Sequence, residues 1–127
     1  MAIKLLAVAL GGAVGSVCRY LISLSAKRSL SEGQFPLGTF MANSVGCLLI
    51  GFVAGVLMAK GERPIVHVLV VTGFLGGFTT FSSFGLETFT LLQHGHTRMA
   101  ALNMGSQLVV GLIAVAAGWG ASRLVAG

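Results

Sequence analysis

Four stretches of the chain carry no charge or almost none: Leu5 to Ala26, broken only by Arg19, then Phe35 to Ala59, Pro64 to Leu86, and Met99 to Ser122. Each exceeds the roughly 20 residues that a helix needs to cross hydrocarbon. Only 9% of the 127 residues are charged, against about 25% in an ordinary soluble domain, and the mean hydropathy is +0.94. The chain therefore reads as an all-α membrane protein whose four spans use almost every residue. That leaves one transmembrane domain over 1–127, with no soluble domain, linker or low-complexity tail.

The spans are expected at about 3–25, 36–59, 65–93 and 99–124. Pro36 and Pro64 suit the first turn of the second and third. The loop Lys60-Gly61-Glu62-Arg63 is so short that these two spans should be antiparallel neighbours. Residues 27–33 and 94–98 form the other two loops, and an even number of spans puts both termini on one side. The first span is not read as a cleaved leader, because it is long and carries Arg19 and Tyr20 near its end. Small residues four apart, Gly11 with Gly15, Gly12 with Ser16, Ala42 with Gly46 and Gly51 with Gly55, read as close-packing seams. Cys18 and Cys47 have neither CxxC spacing nor neighbouring ligands, and read as small apolar fillers.

The third span contains Thr72-Gly73-Phe74-Leu75-Gly76-Gly77-Phe78-Thr79-Thr80-Phe81-Ser82-Ser83-Phe84-Gly85. Three glycines within five residues weaken a helix, so a break is expected near 73–79. Non-helical backbone at membrane depth survives only when it is buried in protein or lines a watery cavity, and its freed carbonyls can hold a cation. Thr79, Thr80, Ser82 and Ser83 cluster more tightly than back-bonding to helix carbonyls requires. Phe81 and Phe84, three apart, share a helix face. Packing is the common use of such a pair, but the positive ring edge can also hold a small anion weakly, as conduction demands.

Other polar residues at membrane depth have two readings each. Asn43, with Ser44 beside it and Thr39 one turn earlier, either joins helices or faces a polar path. Arg19 either snorkels to the interface or draws anions into a vestibule. Glu87 is an interfacial ion-pair partner or a proton carrier. His67, His94 and His96 form no ligand set. There is no phosphate loop, catalytic triad, HExxH or CxxC, which argues against an enzyme. The net charge of +5 is scattered, with Lys27-Arg28 the longest basic run, so no nucleic-acid surface is expected.

The loop charges are balanced. With the N-terminus inside, Lys4, Lys60, Arg63 and Arg123 face Lys27, Arg28 and Arg98, with Arg19 near the second group. Because loop Lys and Arg set orientation, this balance predicts insertion both ways round. The chain has no internal repeat, so an antiparallel homodimer would supply the inverted pair common in transport proteins.

From Gly73 to Phe84, in length and in span number, the chain closely resembles the bacterial fluoride channels called Fluc or CrcB. Gly11-Gly12-Ala13-Val14-Gly15 followed by Arg19-Tyr20, and Gly38-Thr39 through Asn43, match as well. The resemblance implies a multi-pass protein of the bacterial inner membrane, a dual-topology antiparallel homodimer that exports cytoplasmic fluoride passively and so lowers its toxicity. It implies that Phe81, Phe84 and Asn43 line the fluoride path with the hydroxyls of Thr79, Thr80, Ser82 and Ser83, and that Arg19 stands in the vestibule. It further implies that main-chain oxygens of Gly76 and Thr79 hold a structural sodium ion at the dimer centre. The chain departs from the family pattern on the fourth span, where Gly111 stands in place of a hydroxyl and Ser106 and Gln107 lie one turn earlier. The rival functions are a small dual-topology proton-coupled exporter, for which Glu87 is the one candidate carboxylate, and a membrane subunit that only packs against a partner.

Overall fold

The computed structural model describes residues 1–27, 33–61 and 63–126, and the regular structure among them is entirely helical. It consists of α1 (Ala2–Lys27), α2 (Leu37–Lys60), the single turn α3 (Pro64–Val66), a π-helical stretch (His67–Leu75), α4 (Gly76–Phe78), α5 (Phe81–Gln93) and α6 (Thr97–Ala126). Ala2–Ala26, Leu37–Lys60, Pro64–Gln93 and Thr97–Ala126 are long and apolar enough to cross a membrane. The protein is thus a multi-pass membrane protein. Most of the expected first loop, 28–32, lies outside the described residues, as does Glu62.

The third span changes partners along its length. Its first part, the π-helix and α4, packs on α1, whereas α5 packs mainly on α6; α2 and α6 form the other long pair. The first contact depends on glycine. A Cβ added at Gly73 would stand 3.0 Å from the Val8 carbonyl oxygen, and one at Gly77 would stand 2.5 Å from that of Gly12. Such backbone-to-backbone approach is how membrane helices gain packing where hydrophobic burial gives no drive. The α2–α6 seam is built likewise, with Gly51 against Val115, Gly55 against Ser122 and Gly118 against Leu48.

The glycine-rich run remains helical through Phe78, which differs from the expectation that its glycines interrupt the span. A glycine costs about 1 kcal/mol of helix propensity, but in lipid an open backbone hydrogen bond costs several. Close packing on α1 adds to the balance. Backbone leaves the helix only at Thr79 (φ −86°, ψ 157°) and Thr80 (φ −151°, ψ 117°). Side chains such as Leu6, Leu10 and Val14 of α1 and Leu112 and Ile113 of α6 are exposed, as lipid-facing groups are.

Candidate functional site

An interrupted helix must find partners for the groups released from its ladder. Here the partners come from side chains. Thr80 N–H, which a continuous helix would send to the Gly76 carbonyl, donates to Asn43 Oδ1 at 2.8 Å. Asn43 Nδ2 returns a bond to the Thr80 carbonyl at 3.1 Å. Ser83 N–H, the helical donor for the Thr79 carbonyl, goes to Thr80 Oγ1 at 3.1 Å, so Thr80 caps α5. The Gly77 carbonyl accepts from Arg19 Nε at 3.0 Å. Arg19 is therefore turned inward onto the third span, half-buried, with its Nε–H on a carbonyl of the interruption.

The hydroxyl cluster is largely engaged with its own backbone and itself. Thr79 Oγ1 donates to the Leu75 carbonyl at 2.9 Å, and Thr80 Oγ1 lies 3.1 Å from Ser83 Oγ and 3.2 Å from Ser82 Oγ. A second polar system was not anticipated from the sequence. Asn43 Nδ2 also donates to Gln107 Oε1 at 2.9 Å, and Gln107 Nε2 donates to Asn103 Oδ1 at 3.3 Å. Asn103 Nδ2 then donates to Thr88 Oγ1 at 2.9 Å, and Thr88 Oγ1 to the Phe84 carbonyl at 2.7 Å. Asn103 is 0% exposed. The available signal was the spacing of Asn103 and Gln107, four apart on one face of the fourth span. Away from this system, Thr39 Oγ1 donates to Glu87 Oε1 at 2.7 Å.

Part of this network walls an open cavity of about 660 Å³. Asn43, Gly76, Thr79, Thr80, Phe81, Phe84 and Gln107 line it among mainly apolar neighbours. Phe81 and Phe84 stand with ring centroids 5.4 Å apart and planes tilted by 47°, and Phe81 is 82% exposed. Ser82, Ser83 and Arg19 are not part of the lining. Gly111 is buried, where a Cβ would meet Cys47 Sγ at 3.4 Å. Gln107, one turn earlier, is the α6 residue that joins Asn43 at the wall.

Four membrane-spanning helices, three of which wall a largely apolar cavity set with amides, hydroxyls and two phenyl rings where one span leaves the helix, define a multi-pass membrane protein of transport type. The chain belongs to the family described as CrcB-like protein, Camphor Resistance (CrcB), whose model matches residues 6–119. This is the family that the third-span signature resembles. The chain is 42% identical over 123 residues to the fluoride-specific ion channel FluC of Maridesulfovibrio salexigens, covering 96% of this chain and 97% of that protein. It is 47% identical over 111 residues to the fluoride-specific ion channel FluC of Methylobacillus flagellatus, covering 87% of each. The protein of the same name from Helicobacter pylori strain Shi470 is 44% identical over 112 residues, 87% of this chain and 86% of that one.

Proposed function

We propose that this protein is a fluoride-specific ion channel of the bacterial inner membrane, through which cytoplasmic fluoride leaves passively down its electrochemical gradient. The observation that carries the reading is the pairing of Phe81 and Phe84 on the wall of a cavity shared with amide and hydroxyl groups. Fluoride is small and strongly hydrated, so a path must offer donors in place of water. Yet it must hold the ion weakly enough to release it. Amide N–H groups, hydroxyls and positive ring edges meet both conditions, because none carries a full charge. Arg19, with its cationic head at the interruption, favours anions over cations nearby.

The working unit in this reading is an antiparallel homodimer of dual-topology subunits. Balanced loop charge supports it, as does a cavity that stays open on one side with Phe81 exposed, since a second copy would complete the wall. A structural sodium ion at the dimer centre fits the donors present. The carbonyls of Gly76 and Thr79 have both lost their helical N–H donors, to Asn43 and to Thr80 Oγ1. Hard main-chain oxygens suit such a cation. When bound, the ion supplies a fixed positive charge that offsets part of the anion's desolvation cost.

Purified protein in liposomes loaded with fluoride or chloride tests the channel reading. Fluoride should leave rapidly without a proton gradient while chloride is retained. Equal efflux of the two anions, or fluoride movement that demands a proton gradient, would overturn it, the second result favouring the proton-coupled exporter.

A further inference from the structure

We propose that Thr88 and Asn103, neither of which lines the cavity, are positioning residues for conduction: through Gln107 they set the direction of a one-way hydrogen-bond chain that leaves an amide proton of Gln107 for an anion in the cavity. This rests on the fluoride-channel reading above. The argument begins at the two ends of the chain, which are both backbone groups of fixed character. At one end Thr80 offers an N–H that can only donate and a carbonyl that can only accept, so Asn43 must turn Oδ1 to the first and Nδ2 to the second. At the other end the Phe84 carbonyl takes the single proton of the Thr88 hydroxyl, which leaves Thr88 Oγ1 an acceptor.

Between these ends every amide has one satisfactory orientation. Asn43 presents Nδ2 to Gln107, which must answer with Oε1; Gln107 then presents Nε2 to Asn103 Oδ1, and Asn103 presents Nδ2 to Thr88. Turning either Gln107 or Asn103 over would set donor against donor on one side and acceptor against acceptor on the other. In so dry a place that mismatch is expensive, as Asn103 is wholly buried.

The direction has a consequence for the anion. Both amide protons of Asn43 are engaged, one on the Thr80 carbonyl and one on Gln107. Gln107 Nε2 carries two protons, and one goes to Asn103. The other belongs to a side chain that lines the cavity, so Gln107 is the amide donor this chain offers there. Thr88 and Asn103 act at a distance by preventing Gln107 from presenting its carbonyl oxygen instead, which would repel an anion.

Fluoride efflux from proteoliposomes, measured on variants that purify in the same oligomeric state as wild type, tests the proposal. Thr88→Val keeps the shape and removes the hydroxyl, and should slow fluoride by about tenfold, the scale of one lost buried hydrogen bond. Thr88→Ser keeps the hydroxyl and should remain close to wild type. Asn103→Leu should slow efflux like Thr88→Val, and the double variant Asn103→Leu with Gln107→Leu should be no slower than Gln107→Leu alone. Serine as slow as valine at position 88, or losses that multiply in the double variant, would overturn the proposal. A second readout is independent of transport: the side-chain amide resonances of Gln107 in ¹⁵N-labelled protein should move in Thr88→Val and stay in place in Thr88→Ser. If wild type conducts no fluoride, the channel reading fails and the chain is judged on this readout alone, where unmoved Gln107 resonances in Thr88→Val would overturn it.

Discussion

Asn43 and Thr80 pair as two residues of neighbouring strands would, the side-chain amide of one exchanging both bonds with the backbone of the other at 2.8 and 3.1 Å. The preceding span, through a residue 37 positions earlier, thereby supplies what the third span's own ladder lacks. Backbone polar groups cannot be left open in lipid. The interruption at Thr79 and Thr80 is thus tolerable only where α2 presents a side chain with a donor and an acceptor side by side, which asparagine does.

Asn43→Leu should therefore destabilise the protein as well as impair transport. Two half-buried backbone groups lose their partners, at about 1–3 kcal/mol each. Asn43→Asp keeps an acceptor for the Thr80 N–H and should lose less. Thermal denaturation in detergent, compared across the three proteins, reads the order directly; a leucine variant as stable as wild type would show that the pair is dispensable.

Replacing Phe81 or Phe84 by Ile removes an aromatic ring, with its positive edge, from the cavity lining while keeping a bulky apolar side chain. Fluoride efflux should fall in both variants with the oligomeric state unchanged. Size-exclusion chromatography beside the liposome assay separates loss of the path from loss of assembly.

The glycine seams predict opposite signs for the same substitution. Gly77→Ala would bring a Cβ to 2.5 Å of the Gly12 carbonyl oxygen, and overpacking of this kind costs about 1–3 kcal/mol. Gly120→Ala, on the exposed side of α6 with nothing within 4 Å, should be neutral or gain roughly 0.4–1 kcal/mol. Melting temperatures of the two variants should fall on opposite sides of wild type or leave Gly120→Ala equal to it.

Near-equal Lys and Arg counts on the two sides predict insertion in both orientations. A reporter fused after Gly127 should read both sides of the membrane, and two arginines added to one loop should bias it to one. A reporter confined to one side in the unmodified protein would contradict the antiparallel dimer.

Exchanging sodium for a bulky organic cation should weaken the dimer if Gly76 and Thr79 hold the ion through main-chain oxygens. Thr79→Val should leave that dependence in place, because its side chain would not be a ligand. Dimer dissociation measured by dilution in each salt is the check, and indifference to the cation would remove sodium from the structure.

The four spans and the small-residue seams were legible in the sequence because each depends on runs and spacings within a single helix. So was the residue signature of the third span. The place where that span leaves the helix was not. Glycines at 73, 76 and 77 are locally the weakest points, yet the run stays helical with α1 packed against Gly73 and Gly77, and the chain lets go at Thr79 and Thr80, where Asn43 is present to receive it. The same holds for Gln107 and Asn103, whose partners Asn43 and Thr88 lie 64 and 15 residues away in sequence. Composition and periodicity report where a polar atom sits on its own helix, but the atom that satisfies it is supplied by whichever helix packs opposite, and only the tertiary structure decides that.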